Sequence, residues 1–529
     1  MSARTSLDGP PRVLVVPPDE RPCHTRDLRL LADLGGGRVV LPPSEALPRF
    51  RTAADLTALW TWLQDAAQEA DAAVASLDAL AHGGLIPSRL GSEPGTTLTA
   101  RLAGLRDLRL AHPHLPVAAA MVVQRCPDVD DATEEPEYWA EHGRALHALG
   151  IAWHRAHRGH GPRPDPAAHG VPDGVARDML ARRLRNHQGN VAAVELAADG
   201  VVAPLLLTSD DTAPEGLPRL ERDWLAGWID RLGLDQQVHQ HPGADEVAGV
   251  LLARTLLAAR AQRPTVALRC ADPRGLDRIA PYEDRPVGQT ASAQIAAAGA
   301  RPLTAPATLA GSHTAGDEAG DVTLVVHPPA AEGGDWALAP PAALDPGAAA
   351  ATADVVERAL AERGPVAVAD CAHANGSDPA LTGELARRRL LGALAAYAGW
   401  NTAGNSLGSA VAAGLLAQEG AAHATQARER LLVTRLAEDH AYQSVVRSHL
   451  RARVGEQGRP DPDPHGLDDL AATLPAALTA ELAALGDPLL DRWEVTSATI
   501  PWGRTFHVEA TVAPRAGGST AGGSEVRDG

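Results

Sequence analysis

Short apolar runs recur from Val13 to Ala369, each entering a polar cluster and most leading into a stretch with helical spacing. This alternation predicts an α/β fold with parallel strands. Eight runs carry the pattern: Val13 to Val16, Ala72 to Ser76, Val117 to Val123, Pro204 to Leu207, Val238 to Gln240, Thr265 to Leu268, Val322 to Val326 and Val366 to Ala369. Eight strands could close a TIM-type barrel, and insertions between them leave a two-lobed α/β arrangement as the competitor. Both place their sites at the carboxyl ends of strands.

Between the runs, Leu56 to Ala70 and Val247 to Ala259 repeat apolar residues at the helical period. Ala403 to Leu416 is a helix of small residues suited to close packing. Beyond Glu419 the pattern changes to two long helices, Thr425 to Val454 and Leu467 to Leu485. A terminal β-hairpin, Trp493 to Thr499 and Thr505 to Thr511, follows around Pro501-Trp502-Gly503. The expected division is an α/β catalytic region over 1–415 with a lobe boundary near 260, a helical region over 416–492, the hairpin over 493–513 and a mobile Gly/Ser-rich tail over 514–529. Loops rich in Pro and Gly span 159–174, 311–321 and 328–347, and no solenoid repeat is present.

Composition narrows the function. Among 529 residues, 48 basic side chains face 66 acidic ones, for a net charge of −18. That field disfavours nucleic acid and anionic membrane as partners. Every basic residue is arginine. Without lysine there is no Schiff base to a lysine and no phosphate-loop lysine, which removes the usual pyridoxal-phosphate and P-loop chemistries. Four widely spaced cysteines, Cys23, Cys126, Cys270 and Cys371, form no Cys-x-x-Cys pair and read as reduced thiols. No secretory leader or long apolar span is visible, so a cytoplasmic location is expected.

The candidate chemistry clusters where strands end. The first run enters Asp19, Glu20 and Arg21, and the second leads to Asp78, His82 and Arg89. Arg125 follows the third, Asp210 and Asp211 the fourth, Asp245 and Glu246 the fifth. Adjacent acids repel unless a metal, an arginine or a shared proton compensates them. The ordinary structural readings are a loop ion pair for Arg21 and helix capping for the two acidic pairs. His239 and His241 supply only two imidazoles, weak grounds for a metal. Later come Tyr282 to Arg285, the cluster with Asp370 and Asn375, and Trp400, Asn401 and Asn405. Amides beside aromatics suit hydroxyl-rich ligands, although Trp400 also fits a core position.

Taken jointly, Pro18-Asp19-Glu20-Arg21-Pro22, Ser76-Leu77-Asp78, Gly83-Gly84-Leu85, Ser88-Arg89, Asp210-Asp211-Thr212-Ala213-Pro214, Gly243-Ala244-Asp245-Glu246, Ala374-Asn375-Gly376, Ala398-Gly399-Trp400-Asn401-Thr402, Pro501-Trp502 and Arg504 resemble a bacterial domain-of-unknown-function family, DUF4127, over nearly the whole chain. That resemblance implies no reaction. Gly243-Ala244-Asp245-Glu246 is also similar to the Gly-Gly-Asp-Glu signature of β-hexosaminidases, with Ala244 in place of the second glycine. In that family the Asp positions the substrate acetamido group and the Glu protonates the leaving oxygen.

The leading expectation is a glycoside hydrolase without a cofactor or metal, acting on a carbohydrate or other polar small molecule, with N-acetylhexosamine glycosides as one class. Asp210, Asp211, Asp245 and Glu246 share the acid and stabilising roles. Asp19, Glu20, Arg21, Asp78, His82, Arg89, Arg125, Asp370, Asn375, Trp400, Asn401 and Asn405 bind substrate. The alternative is a Mg²⁺ or Mn²⁺ hydrolase or lyase using Asp19, Asp78, Asp210 and Asp370 with His241. A non-catalytic carbohydrate-binding protein is the third reading, and a homo-oligomer is compatible with all three.

Overall fold

Arg12–Val16 forms strand β1 because its β-branched run is stopped on both sides by proline, which cannot continue a central ladder. Its residues alternate between two cores: Val13 and Val15 face one, Leu14 and Val16 the other. A strand buried on both faces must have its sheet covered on both sides. The computed structural model describes residues 9–303, 320–362, 364–417, 422–454 and 471–515. The tail from 516, residues 311–319 of one expected loop and the start of the helix expected from Leu467 lie outside them.

The first sheet adds β2 (Arg38–Val40), β3 (Ala72–Ser76), β4 (Val117–Val123), β5 (Leu205–Ser209) and β6 (Val238–Pro242), all parallel, in the order β2-β1-β3-β4-β5-β6. After the helix Val247–Ala259 the chain enters a second parallel sheet of β7 (Thr265–Cys270), β8 (Arg301–Leu303), β9 (Val322–His327), β10 (Val366–Asp370) and β11 (Ala396–Ala398). Its order is β8-β7-β9-β10-β11. Both sheets therefore start in the middle, step to one edge and return past the starting strand, the doubly wound pattern.

The two-lobed arrangement is the one found. The eight expected runs do not close a barrel, because five belong to one sheet and three to the other. Three strands went unforeseen: β2, β8 and β11 are edge strands of three residues each, too short to show a period.

One helical layer lies between the sheets. Arg26–Leu34, Val247–Ala259, Val287–Ala297 and Ala403–Leu416 pack against Val13, Val15 and Leu206 on one side and Leu324, Val326, Ala367 and Ala369 on the other, in a single apolar cluster. Small residues make this possible. A side chain at Gly414 would place its Cβ 2.8 Å from Ala367, and one at Gly408 would strike Glu246.

The helix expected from Leu56 ends at Ala66 and continues as a short 3-10 turn, Ala67–Glu69. The long helix expected over Thr425 to Val454 is present from Ala422 but becomes π-helical over Leu436–Val446. The hairpin pairs β12 (Trp493–Thr499) with β13 (Glu509–Pro514), which starts four residues later than expected. The reason is competition: Tyr442 and Gln443 of the π segment donate to the carbonyls of Thr505 and Phe506, at 2.7 and 2.8 Å, and take that stretch away from β12. Among the described residues no helix is long and apolar enough to cross a membrane.

Leu407→Ala should cost about 2–5 kcal/mol of stability, because it opens a cavity in the shared layer. Denaturant unfolding should show one transition shifted as a whole. Loss of one sheet ahead of the other would contradict a common core.

Candidate active site in the cleft between the lobes

Loops from the carboxyl ends of β1, β3, β4, β5 and β6 meet loops that follow β7, β9, β10 and β11, and the hairpin turn, around a cleft of about 500 Å³. Eight of the expected residues line it: Arg21, Arg89, Arg125, Asp210, Asp211, Asp245, Asn375 and Asn401. Residues scattered through the chain thus converge because both sheets turn their carboxyl edges to the same space.

Two charge networks form the cleft floor and wall. In the first, Arg21 bridges Asp19 (2.9 Å) and Asp245 (2.6 Å), and Asn401 donates to Asp245 at 2.7 Å. The Arg21 guanidinium lies 4.8 Å over the Trp502 ring. Burial alone would raise Asp245, but the adjacent Arg21 outweighs it and holds this carboxyl well below the usual range. Asp245 is thus held as an anion whose oxygens accept from Arg21 and Asn401. The loop ion pair read at Arg21 is present, extended across the lobe to Asp245.

In the second, Arg89 meets Asp210 (2.5 Å), Glu134 (2.9 Å) and Glu135 (3.4 Å), and Arg125 meets Glu135 (2.8 Å), Asp211 (2.9 Å) and Glu134 (3.0 Å). Arg504 from the hairpin turn also bonds Glu134. Four carboxyls face three guanidinium groups, one negative charge in excess. The excess falls on Asp211: burial and then the Asp210 charge push it up to about 7, against the pull of Arg125. A carboxyl that keeps its proton near neutrality at the wall of a polar cleft is equipped to donate it.

Neither acidic pair caps a helix. The helix Leu217–Arg231 starts from Gly216, and no side chain caps Val247–Ala259. Glu246 instead turns into the space between the sheets, where it accepts from Gln294 at 2.6 Å and burial raises it to about 7. It does not line the cleft, which separates it from the proton-donating role suggested by the hexosaminidase-like tetrapeptide.

The remaining expected residues also lie outside the cleft lining. Asp19 sits behind Arg21. Glu20 accepts from the Trp502 indole at 2.8 Å. Asp78 lies buried beneath the wall, accepting the Val122 N–H at 2.9 Å, and burial raises it to about 7. His82 is buried without a hydrogen-bond partner, and burial lowers it to about 3. Asp370 belongs to the second lobe and accepts from Tyr397 at 2.8 Å. Trp400 is a core residue stacked on His507, with centroids 4.6 Å apart. Asn405 takes the Asp245 N–H at 3.1 Å. The oxygen-rich metal set of Asp19, Asp78, Asp210 and Asp370 does not assemble, and His241 bonds its own loop at Pro242.

Several residues of the cleft were not singled out as site residues. Tyr282 donates to Asp335 at 2.6 Å, and Asn375 donates to the same carboxylate at 2.8 Å. The Tyr282 carbonyl accepts the Thr212 N–H at 2.9 Å, which fixes Asp335 close to the Asp211 loop. Glu134, Glu135, Trp502, Arg504 and Phe506 complete the list. A legible signal existed: Glu134-Glu135 repeats the adjacent-acid pattern of Asp210-Asp211, and Gly333-Gly334 precedes Asp335 as a double glycine precedes Leu85.

Backbone strain marks the same place. Of the eight non-glycine residues with positive φ among the described residues, Asp211, Tyr282, Asn375, Asn401 and Trp502 line the cleft. Each such conformation costs about 1–3 kcal/mol and persists only where the surroundings enforce it.

A family model described as a protein of unknown function, DUF4127, matches residues 13–511. The chain belongs to that family. The match runs from β1 into β13, so the DUF4127 unit contains both sheets, the shared helical layer and every wall of the cleft. A search of curated proteins gives no match.

Because folded Asp211 keeps its proton to about pH 7 and an unfolded Asp loses it near its ordinary value of 3.8, its contribution to stability should fall as pH rises across that window. Asp211→Asn removes this contribution. The stability of the variant relative to the native chain should therefore increase from about pH 4 to about pH 7 in chemical denaturation. A difference that stays constant with pH would show Asp211 already ionised.

Proposed function

We propose that this DUF4127 protein is a glycoside hydrolase whose general acid is Asp211. What carries the reading is the place of Asp211, a carboxyl beside Asp210 at the wall of the cleft whose pKa burial and the Asp210 charge push up to about 7, with a second acid, Asp335, presented from the opposing lobe. A cleft of this size suits a small glycoside, and pockets of about 300–1,000 Å³ are usual for such ligands. Tyr282, Trp502 and Phe506 offer apolar surfaces to sugar CH groups. Asn375, Asn401 and Arg504 offer polar groups to hydroxyls.

In this scheme Asp211 donates its proton to the glycosidic oxygen as the bond to the anomeric carbon breaks. Asp210, fixed by Arg89, supplies the negative charge that keeps the Asp211 proton in place until then. Asp335, oriented by Tyr282 and Asn375, faces the oxocarbenium-like centre with its negative charge. Asp245, neutralised by Arg21, orients Asn401 without exchanging a proton. Of the four acids first considered, Asp211 is the one with both cleft exposure and a retained proton.

The test is a panel of aryl and alkyl glycosides, N-acetylated ones included, assayed with the native chain, Asp211→Asn and Asp335→Asn. Each variant should lose about 10²–10⁴ in kcat. For Asp211→Asn the loss should be greatest on alkyl glycosides, whose leaving groups need the proton most. Native activity should decline as pH rises through about 7, because the acid must be protonated. Equal losses on aryl and alkyl substrates would contradict the acid role, and no turnover across the panel would overturn the reading.

A further inference from the structure

In the loop that follows β1, the turn Pro22–His24 places Cys23 and His24 side by side under the cleft floor, opposite Asp245 from the loop after β6. One ligand atom from each of these three buried residues lies within 4.8 Å of the other two. We propose that Cys23, His24 and Asp245 bind one tetrahedral divalent metal ion of the zinc class, with Asp19 as the carboxylate that orients the histidine.

Three independent features point to it. His24 Nδ1 is 2.7 Å from Asp19 Oδ1, the arrangement in which a carboxylate fixes the tautomer of a metal-binding imidazole and leaves Nε2 free to coordinate. That Nε2 is fully buried and makes no well-formed hydrogen bond; it faces Asp245 Oδ1 at 3.4 Å, an ion-pair contact when the ring is protonated, and a metal ion would take the place of that proton. For metal–ligand bonds of about 2.0–2.1 Å, two ligand atoms on a tetrahedral ion are about 3.3 Å apart, so this spacing is that of a ligand edge. Cys23 completes a set of imidazole, thiolate and carboxylate donors, which suits zinc better than magnesium or calcium.

Charge and space agree. Asp19, Asp245 and the Cys23 thiolate carry three negative charges, balanced by Arg21 and a divalent ion. Arg21 approaches Asp245 Oδ1 at 2.6 Å and Oδ2 at 3.2 Å. A carboxylate oxygen has two lone-pair positions, so Oδ1 can serve both the guanidinium and the ion. Cys23 and Asp245 also line a pocket of about 70 Å³ with Glu246, Trp400 and Asn405, which has room for water at a fourth position. Trp400 Nε1 is buried and unpartnered. The ion would pin the β1 loop to the β6 loop below Arg21, a structural role apart from the acid at Asp211. This departs from the expectation of a metal-free protein, and the glycosidase reading does not depend on it.

The test uses the full-length chain, stripped with chelator and titrated with Zn²⁺ against a chromophoric competitor, then with Co²⁺ as a spectroscopic probe. One tightly bound Zn²⁺ per chain is expected. Co²⁺ should give tetrahedral d–d bands together with a thiolate charge-transfer band. Cys23→Ser should abolish the charge-transfer band and weaken Zn²⁺ binding by about a hundredfold or more, while Cys371→Ser keeps both. Absence of stoichiometric Zn²⁺ on the folded native chain, or a charge-transfer band that survives in Cys23→Ser, overturns the proposal. Should Cys23→Ser fail to fold by circular dichroism, the native Co²⁺ spectrum decides, and a spectrum without thiolate charge transfer overturns it equally.

Discussion

Two parallel sheets, each apolar on both faces, share one layer of helices, and the geometry of the molecule follows from that sharing. The layer must be thin and close-packed, which is why Ala403–Leu416 is mostly alanine, glycine and serine, with three leucines, one valine and Asn405. It must also be apolar toward both sheets at once, so Val247–Ala259 and Ala403–Leu416 present buried residues nearly all round. Because both sheets pack on the same helices, loops from the two sets of carboxyl ends meet in one cleft. Neither lobe alone contains that cleft: Asp210 and Asp211 come from the first, Asp335 and Asn375 from the second.

Within the cleft, charge is nearly but not wholly balanced, and the imbalance is local. Asp245 shares Arg21 with Asp19 but also has His24 beside it, and it stays ionised. Asp211 shares Arg125 with Glu134 and Glu135 and sits next to the Asp210 anion, so its charge is the least compensated. Two carboxyls that look alike in sequence thus receive opposite protonation behaviour from their surroundings. The backbone contributes as well, since five cleft residues are held in the left-handed region, where side chains are re-aimed into the space between the lobes.

Much of this was legible in the chain. The eight longer strands, the helices Val247–Ala259 and Ala403–Leu416 and the strand Trp493–Thr499 follow from apolar period and length. The gathering of Arg21, Asp211, Asn375 and Asn401 at one cleft follows from the rule that α/β sites form at carboxyl ends. What stayed hidden depends on distance. Three-residue edge strands carry no period, and the choice between a barrel and two sheets rests on which strands pair. That Glu246 turns inward while Asp211 faces the cleft is decided by a positive φ at Asp211 and by Gln294 beside Glu246, neither of which a local motif reveals. Asp335 was missed because its loop read only as rich in proline and glycine.

The central claim is that the fold stores a proton on one carboxyl in the cleft between the lobes. It can be read directly from an infrared difference spectrum, native chain minus Asp211→Asn, recorded across pH. A protonated carbonyl band assigned to Asp211, present below neutrality and half lost at about pH 7, is the predicted result. A band that has vanished by about pH 5 would contradict the account.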